Sequence, residues 1–284
     1  MNFADKVVII TGAGTGIGRA LARKLLAEKA HVVLAGRRLE KLQEVIDSTG
    51  CVTRAIAVVT DVSKLSDLRA LVDTALTAHG HIDVVVHNAG IVYAGDVDSV
   101  SPAEAEHLMT VNVLAPIWLT QLVVPVLRQR PEAMITYISS LAGLVQVPYQ
   151  SFYCASKHAL HGFSQSVRRE LTDTRIKVVT AYPGNVESEV MSRRVHQKME
   201  DVGFPVRHVM TAERAADVII GGMRSETPMI YVTSRAERNL ARLNHFIPSL
   251  VDWRMKQMKP KIKDILRLAT EWTRSRNVLS DRSE

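Results

Sequence analysis

Short runs of β-branched and other apolar residues alternate with segments in which apolar residues recur every three or four positions. The short runs predict strands buried on both faces, and the periodic segments predict helices packed against them. The predicted strands are Lys6–Thr11, His31–Ala35, Arg54–Val59, Val84–His87, Met134–Ser139, Lys177–Tyr182 and Met229–Thr233. The predicted helices include Leu65–Ala78, Ala105–Leu127, a segment from about Tyr153 to Leu171, and Ala212–Met223.

This alternation predicts an α/β fold with right-handed β-α-β units and a doubly wound parallel sheet of about seven strands. The chain has 284 residues, a length that suits one large domain with an appendage. We expect a single domain over residues 1–233, where the alternation ends, and a helical extension over residues 234–284.

The apolar content of 46% is sufficient for a large core, and two cysteines indicate a reducing compartment without a disulfide framework. The amino-terminal residues lack a cationic leader followed by a long apolar run, so we expect no secretory signal and a cytoplasmic location. The longest uncharged run, Leu108–Leu127, contains two prolines and several polar residues. It therefore predicts a buried helix better than a bilayer span.

The net charge of +7 belongs almost entirely to the extension, because residues 234–284 contain 12 of the 36 Lys and Arg and only 6 of the 29 Asp and Glu. Apolar residues at helical spacing accompany this charge: Leu240, Leu243, Phe246, Ile247, Leu250 and Val251, then Ile262, Ile265, Leu266, Ala269 and Trp272. Three interpretations remain open. The helices pack on the domain or a sister subunit, they lie on anionic lipid as a peripheral membrane contact, or they cover an apolar substrate or a protein partner. No nucleic-acid recognition motif accompanies the charge, so we expect no nucleic-acid partner.

A glycine-rich segment, TGAGTGIG at Thr11–Gly18, lies between the first strand and the first helix. Its glycines at 12, 16 and 18 permit a tight turn and close approach of the backbone, so that helix N–H groups can face a phosphate. The second strand ends in Gly36-Arg37-Arg38, where many dinucleotide folds place a carboxylate for the adenosine ribose. The Arg37 guanidinium suits a 2′-phosphate instead, which predicts NADP(H) with NAD(H) as the less favoured alternative.

Tyr153 and Lys157 lie four residues apart in a predicted helix and therefore share one face. A phenol has a pKa near 10, so acid–base chemistry near neutral pH needs a shift of about three units. A lysine cation one turn away favours the phenolate and supplies part of that shift. Ser140, thirteen residues before Tyr153, can donate to the same substrate oxygen. Taken alone, however, this spacing also fits an ordinary tyrosine and lysine that are exposed to solvent and have no catalytic role.

The motifs taken together are more specific than any one of them. They run in order from Thr11–Gly18 through Asp61-Val62, His87-Asn88-Ala89-Gly90, Asn112, Ser140 and Tyr153–Lys157 to Pro183-Gly184. In order and spacing the chain resembles the short-chain dehydrogenase/reductase family from residue 5 to about 233. The resemblance implies a single Rossmann-like domain.

The same resemblance implies a role for each matching position. The implied catalytic residues are Asn112, Ser140, Tyr153 and Lys157, with Tyr153 as general acid and Asn112 holding a water near Lys157. The implied cofactor contacts are Gly12, Gly14, Thr15, Gly16, Ile17, Gly18, Arg37, Asp61, Val62, Asn88, Ala89, Gly90, Tyr153, Lys157, Pro183, Gly184, Val186 and Ser188. The candidate substrate contacts are Ser140, Gln146, Tyr149 and Tyr153, and no metal is expected.

The expected activity is therefore the NADP(H)-dependent interconversion of a carbonyl and an alcohol. The residues that follow the strand ends are mostly apolar or aromatic, which favours a hydrophobic substrate such as a steroid, retinoid or lipid. The family often forms homodimers or homotetramers through its central helices. The alternatives are a non-catalytic NADP(H)-sensing binding protein on the same fold and a nucleotide-sugar epimerase or dehydratase.

Overall fold

A parallel sheet of seven strands forms the centre of the protein, in a computed structural model that describes residues 1–187, 209–253, 255–260 and 262–263. The strands are β1 (Val7–Thr11), β2 (His31–Gly36), β3 (Ala55–Val59), β4 (Val84–His87), β5 (Ala133–Ile138), β6 (Ile176–Pro183) and β7 (Met229–Val232). Their order across the sheet is β3-β2-β1-β4-β5-β6-β7, and each pair of neighbours is parallel. The predicted fold class is confirmed.

Helices cover both faces of this sheet, which makes three layers. They are α1 (Gly16–Ala27), α2 (Leu39–Thr49), α3 (Leu65–His79), α4 (Pro102–Met109), α5 (Ala115–Leu127), α6 (Ser151–Glu170), α7 (Ala212–Arg224) and α8 (Arg235–Phe246). One apolar core contains side chains of α1, α2 and α7, and the other contains side chains of α3, α5 and α6. The strands contribute to both cores, which explains why they appear in the sequence as continuous apolar runs.

The strand order reverses between β1 and β4, which lie side by side although two strands separate them in the sequence. Open α/β sheets bind ligands in the crevice at such a point, beyond the carboxyl ends of the strands. Here the glycine turn follows β1 and the segment beginning at Asn88 follows β4. The topology therefore brings these two motifs together.

The predicted helix Ala105–Leu127 is wrong in one respect, because it is not continuous. It begins at Pro102, and a π-helical turn over Thr110–Leu114 separates α4 from α5. Pro116 has no N–H to donate to the carbonyl of Asn112, and its ring crowds that carbonyl, so the regular hydrogen-bond ladder cannot pass this point.

The segment Pro102–Leu127 is also, among the described residues, the helical stretch with the length and apolarity of a membrane span. However, half of its apolar window is buried inside the protein. Leu119, Val123 and Leu127 belong to the core on that side of the sheet. The same segment therefore fits the role of a core helix that the sequence predicted.

The extension packs against the domain from which it continues. Ser234 and Glu237 form a capping box at the start of α8, and residues 248–253 and 255–260 are again helical. Ala241 and Val251 form a small apolar cluster with Val145, which lies in the loop that follows β5. The boundary at residue 233 itself stays a prediction.

Asp83 fixes the start of two adjacent strands. Its carboxylate is fully buried, accepts a hydrogen bond from Val7 N at 2.9 Å, and accepts another from Arg130 Nε at 2.8 Å. His81 Nε2 lies 3.3 Å from the same carboxylate. One acidic side chain therefore satisfies a buried backbone donor of β1 and holds an arginine that follows α5.

Replacing Asp83 with alanine leaves the Val7 N–H without its acceptor and the Arg130 side chain without its partner. We expect Asp83→Ala to lower the free energy of unfolding by about 2–4 kcal/mol. Urea denaturation measures this change. Asp173→Ala, at an exposed position, serves as the control and should change stability by less than about 0.5 kcal/mol. Equal effects of the two substitutions would contradict the structural role of Asp83.

Candidate active site

The turn after β1 is closely fitted to the segment that follows β4. Gly12 and Gly16 have φ angles of +67° and +52°, which favour glycine. A Cβ atom on Gly18 would lie 2.2 Å from the carbonyl oxygen of Gly12, so no side chain fits there. Helix α1 begins beyond this turn with no acidic residue in its first turn and no side-chain cap at Thr15. Its N–H groups therefore remain suited to an anionic ligand.

Asn88 braces this turn rather than lining the space beside it. Its side-chain amide donates to the carbonyl oxygens of Thr11 at 2.8 Å and of Gly12 at 3.1 Å. The Thr11 hydroxyl accepts from the backbone N–H groups of Asn88 and Ala89 at 3.0 and 3.1 Å. These contacts lock the ends of β1 and β4 together.

A cavity of about 180 Å³ lies between the glycine turn, the end of β2 and the segment that follows β3. Eight of the predicted cofactor residues line it: Gly12, Gly14, Thr15, Arg37, Asp61, Val62, Ala89 and Gly90. A groove made of a glycine turn, an uncapped helix start and an arginine fits an extended phosphate-bearing dinucleotide. Gly16, Ile17, Gly18 and Asn88 support the turn from outside the cavity lining.

Several residues that line the cavity were missed by the sequence reasoning. They are Gly36, Arg38, Lys41, Leu42, Thr60, Ile91, His107 and Val111. Gly36 and Arg38 were noted only as neighbours of Arg37, and Thr60 directly precedes Asp61. The others come from α2, from the residue after Gly90, and from α4 and the π turn, so only the three-dimensional fold brings them to the cavity.

Arg37 and Asp61 face each other across the end of the cavity that lies beside β2 and β3. Burial opposes ionisation of Asp61, but hydrogen bonds from Ser63 and the positive charges of Arg37 and Lys64 outweigh it and lower the pKa of this carboxyl. Ser63 donates to Asp61 through both its backbone N–H, at 3.0 Å, and its hydroxyl, at 2.7 Å. Asp61 is thus held in a turn, and Arg37 is an exposed guanidinium next to Gly36.

Ser140, Tyr153 and Lys157 come together beside this crevice, outside the residues that line the cavity. Ser140 lies directly beyond β5 and forms a hydrogen bond with the Tyr153 phenol. Lys157 Nζ lies 5.7 Å from the centre of the Tyr153 ring and donates to the carbonyl oxygen of Ile138 at 3.2 Å. A Cβ atom on Gly90 would lie only 3.4 Å from Lys157 Nζ, so the lysine reaches the edge of the cavity.

Burial controls the protonation of both groups. It raises the pKa of Tyr153 to about 12, against the opposing effect of the hydrogen bond with Ser140. It lowers the pKa of Lys157 to about 8. The net shift of the Tyr153 pKa is therefore upward, opposite to the direction expected from the sequence. Removal from water disfavours the phenolate more than the surrounding groups favour it.

Asn112 lies in the π turn and fastens the segment that follows Gly90. Its side-chain oxygen accepts from Ile91 N at 2.9 Å, and its amide donates to Ile91 O at 2.8 Å and to Ser156 Oγ at 3.1 Å. Ser156 directly precedes Lys157 in α6. Asn112 thus connects the glycine side of the cavity to the helix that bears the tyrosine and lysine.

The predicted contacts beyond β6 lie next to the same crevice. Pro183 O accepts a hydrogen bond from Ser140 Oγ at 3.4 Å. A Cβ atom on Gly184 would lie 2.7 Å from Thr233 Oγ1, so this position needs glycine. Val186 pairs with Met210 in an isolated parallel bridge. Ser188 lies outside the described residues.

Gln146 and Tyr149, two predicted substrate contacts, meet the extension. Asn244 Nδ2 in α8 lies 3.0 Å from Gln146 Oε1, to which it donates. The ammonium groups of Lys259 and Lys263 lie 5.9 and 5.4 Å from the centre of the Tyr149 ring. Positive charge near these loop residues was not predicted, because both lysines come from a segment more than a hundred residues away.

His87, at the end of β4, is a buried part of the sheet. Its ring stacks on Tyr137 with centroids 4.7 Å apart, and Nε2 lies 3.2 Å from Thr120 Oγ1. Burial lowers the pKa of His87 to about 3, so its imidazole is neutral. It therefore supports the site through packing. Within the part of the chain that the structure describes, no group of three or more His, Cys, Asp or Glu side chains could hold a metal ion.

Comparison with known proteins agrees with this geometry. The sequence profile of short chain dehydrogenases matches residues 6–199. The chain belongs to the short-chain dehydrogenase/reductase family.

Curated relatives cover most of this short-chain dehydrogenase/reductase. Dehydrogenase/reductase SDR family member 7B of Danio rerio is 32% identical over 224 residues, which are 76% of this chain and 72% of the relative. An SDR family protein 7-like of Anopheles gambiae is 30% identical over 266 residues, 90% of this chain and 84% of the relative. The second alignment extends beyond residue 233, because it covers nine-tenths of the chain.

Solved structures confirm the fold. A short chain dehydrogenase/reductase from Burkholderia phymatum, in complex with NAD, has a TM-score of 0.78 and 26% identity, covering 88% of this chain and 96% of that one. A 3-ketoacyl-(acyl-carrier-protein) reductase from Brucella melitensis, complexed with NADH, has a TM-score of 0.74 and 24% identity, covering 83% and 99%. The chain thus has the fold of an oxidoreductase family whose members bind nicotinamide cofactors.

The buried ammonium of Lys157 leads to a stability prediction. With a pKa of about 8 when folded and 10.5 when unfolded, the unfolded state holds more protons between these values, so stability rises with pH across that window. We expect the free energy of unfolding of the cofactor-free protein, relative to Lys157→Met, to increase by about 2–3 kcal/mol between pH 8 and 10. Urea denaturation of both proteins at several pH values measures it.

The exposed Lys256 supplies the control, because Lys256→Met removes a lysine that is already in water. The stability difference between this variant and the wild type should not vary with pH over the same window. A pH-independent difference for Lys157→Met as well would contradict a buried, weakly basic lysine.

Proposed function

We propose that the protein is an NADP(H)-dependent carbonyl reductase that acts on a hydrophobic substrate. The observation that carries this proposal is the grouping of Ser140, Tyr153 and the buried Lys157 beside Gly90, which lines the cavity. Reduction of a carbonyl requires a proton donor for the carbonyl oxygen and a dinucleotide held beside it. Tyr153 and Ser140 would supply the donors, and the cavity would hold the dinucleotide. The proposed location is the cytoplasm.

The chemistry divides between the cofactor and the chain. A bound nicotinamide would supply the hydride that reduces the carbonyl carbon. Tyr153 would give its phenolic proton to the carbonyl oxygen, and the Ser140 hydroxyl would donate a hydrogen bond to the same atom. Negative charge develops on that oxygen in the transition state, so both donors stabilise the transition state more than the ground state. Lys157 would hold a ribose and return a proton to Tyr153, with Asn112 positioning a water beside it.

The protonation of Tyr153 favours the reductive direction. With a pKa of about 12, the phenol carries its proton at neutral pH and is ready to donate it. An alkoxide is more basic than a phenolate, so the transfer from Tyr153 is downhill even at this raised pKa. Oxidation of an alcohol would instead need the phenolate, which burial disfavours.

Arg37 supports the choice of NADP(H). It lines the cavity next to Gly36, at the end of β2, and its positive charge reaches Asp61 on the neighbouring strand end. Arg38 and Lys41 line the same end of the cavity. Such a group of cations suits a 2′-phosphate, and no carboxylate stands at the end of β2 to hold a free ribose hydroxyl pair.

Apolar side chains near Ser140 support a hydrophobic substrate. Leu141, Leu144 and Val145 follow Ser140 directly, and they pack with Ala241 and Val251 of the extension. The wall on this side of the site is therefore apolar, with Lys259 and Lys263 farther out beside Tyr149. A steroid-, retinoid- or lipid-like carbonyl compound fits this distribution better than a sugar phosphate.

Self-association is part of the proposal. The outer side of the Pro102–Leu127 segment keeps Leu114 40% exposed and leaves Trp118 and Leu122 only partly buried. An apolar surface of this kind suits a contact between subunits in a homodimer or homotetramer. The sedimentation coefficient of the full chain gives the number of subunits.

Tyr153→Phe tests the catalytic assignment. Loss of the phenolic proton should lower kcat with an apolar ketone by about 10²–10⁴-fold. The Kd for NADPH, measured by fluorescence titration, should change far less. Tyr231→Phe, in β7, is the matched control and should retain turnover.

Turnover of Tyr153→Phe close to the wild-type rate would refute the role of Tyr153. If the wild type binds NADPH but consumes none with a panel of ketones and aldehydes, the sensing alternative replaces the enzyme. Absorbance at the NADPH band records consumption directly.

Arg37→Ala tests the cofactor assignment. A charge-assisted hydrogen bond contributes about 1.5–3 kcal/mol, so the KM for NADPH should rise by roughly ten- to a hundredfold. The KM for NADH should hardly change, because NADH has no 2′-phosphate. Arg37→Lys should keep part of the preference, and Arg23→Ala, at an exposed position in α1, should have no effect on either KM. Equal changes for both cofactors in Arg37→Ala would exclude this role.

A further inference from the structure

Five large apolar side chains around the turn between α8 and the following helix are exposed, among them Phe246 at 77%. The other four are Leu243, Ile247, Leu250 and Trp253, which are 38%, 47%, 47% and 58% exposed. We call these five residues the apolar corner. Leu243 and Ile247 are four residues apart, and Leu250 and Trp253 are three apart, so each pair shares a helix face or its continuation into the turn. Five large exposed apolar residues within eleven positions form a patch of the kind that marks an interaction site.

The opposite side of these helices is already used for packing. Ala241 and Val251 are buried against Val145, and Asn244 donates to Leu144 O at 3.2 Å. The apolar corner is therefore not the face that attaches the extension to the domain. It is a second apolar surface, directed away from the protein.

The charge around the apolar corner is strongly positive. Residues 234–263 contain eight Lys and Arg and two Asp and Glu, whereas residues 264–284 contain four of each type. Of the two acidic side chains, Glu237 is engaged in the capping box with Ser234, and Asp252 is exposed next to Trp253. Arg235, Arg242 and Lys256 are exposed on either side of the corner. The excess positive charge of residues 234–284 therefore lies, in the sequence, within the segment that carries this patch.

We propose that the apolar corner and the basic residues around it dock on an anionic lipid bilayer. Apolar side chains that include a tryptophan, flanked by lysine and arginine, are the composition of segments that lie at a membrane surface. The charge decides against other occupants. A second copy in a two-fold contact would bring an equal positive charge to the same surface, and residues 264–284 offer no net negative charge.

Docking would bring the mouth of the active site to the bilayer. Asn244, which lies between Leu243 and Ile247, also donates to Gln146 beside the predicted substrate loop. A hydrophobic substrate could then enter from the lipid without crossing water. This consequence depends on the proposed function, whereas the docking itself does not.

Sedimentation with vesicles tests the docking with the full chain. The protein should pellet with vesicles of phosphatidylcholine containing about 30 mol% phosphatidylglycerol at low salt, and much less with phosphatidylcholine alone or at high salt. Lys256→Glu should lower the partition coefficient by roughly fivefold or more, because each basic residue near the surface contributes about that factor. Leu250→Ser with Trp253→Ser should lower it by more than about tenfold.

Two matched variants serve as controls. Val52→Ser changes an apolar residue that is 63% exposed outside the extension, and Arg69→Glu reverses a charge on an exposed position of α3. Both should pellet as the wild type does. If the double variant does not fold, Lys256→Glu on the exposed surface still decides the question.

Three results would overturn the proposal. The wild type does not pellet with anionic vesicles at low salt, or the corner variants pellet as well as the wild type. Alternatively, the double variant changes the sedimentation coefficient of the vesicle-free protein, which would make the apolar corner a contact between copies. NADPH consumption with a water-soluble ketone is measured in parallel, so a failure of catalysis is recorded separately from a failure of docking.

Discussion

The ammonium group of Lys157 is buried, and much of the candidate site is arranged to hold it. Only 4% of the lysine is exposed, and its ammonium group donates to the carbonyl oxygen of Ile138, the last residue of β5. Small residues make room for it. A Cβ atom on Gly143 would lie 2.7 Å from Lys157 O, and one on Gly90 would lie 3.4 Å from Lys157 Nζ. An isolated charge in such a place is costly, which argues that this position is retained for chemistry rather than for stability.

The same removal from water sets the chemistry of the neighbouring phenol. Burial makes Tyr153 a weaker acid and Lys157 a weaker base, so both shifts have one cause. The phenol of Tyr153 therefore keeps its proton at neutral pH, whereas Lys157 loses its proton more readily than an ordinary lysine does. A donor of this type needs a strongly basic acceptor to release its proton, and the oxygen of a carbonyl becomes such an acceptor only as it is reduced. In the proposed reaction, proton transfer from Tyr153 would thereby be linked to reduction of the carbonyl carbon.

The sheet could be predicted closely from the sequence because its strands are buried on both faces. Each predicted strand agrees with the structure within about one residue at either end. The agreement is close because the continuous apolar run stops at the residue where the chain leaves the buried sheet. The π turn at Asn112 was missed, although Pro116 is a visible signal for it. Helical periodicity changes too little over one turn to reveal the difference.

The candidate site was predictable where it depends on short motifs and not where it depends on long-range contacts. The glycine turn, Ser140 and the Tyr153–Lys157 pair each occupy a few consecutive positions, and the topology brings them to one crevice. Residues such as His107 and Lys41 reach the cavity from separate helices, and no local pattern marks them. The predicted direction of the Tyr153 pKa shift was wrong. Residue spacing reveals a neighbouring charge, but it does not show how far the phenol is removed from water.

The extension shows why one packing contact does not settle the purpose of a segment. Ala241 and Val251 attach it to the loop after Ser140, which agrees with the interpretation that it packs on its own domain. A helix that served only this purpose would bury one apolar face and present polar residues on the other. Here Trp253 and Leu250 lie in water within a strongly basic segment. The outward apolar surface therefore requires its own explanation, and its charge favours an anionic partner.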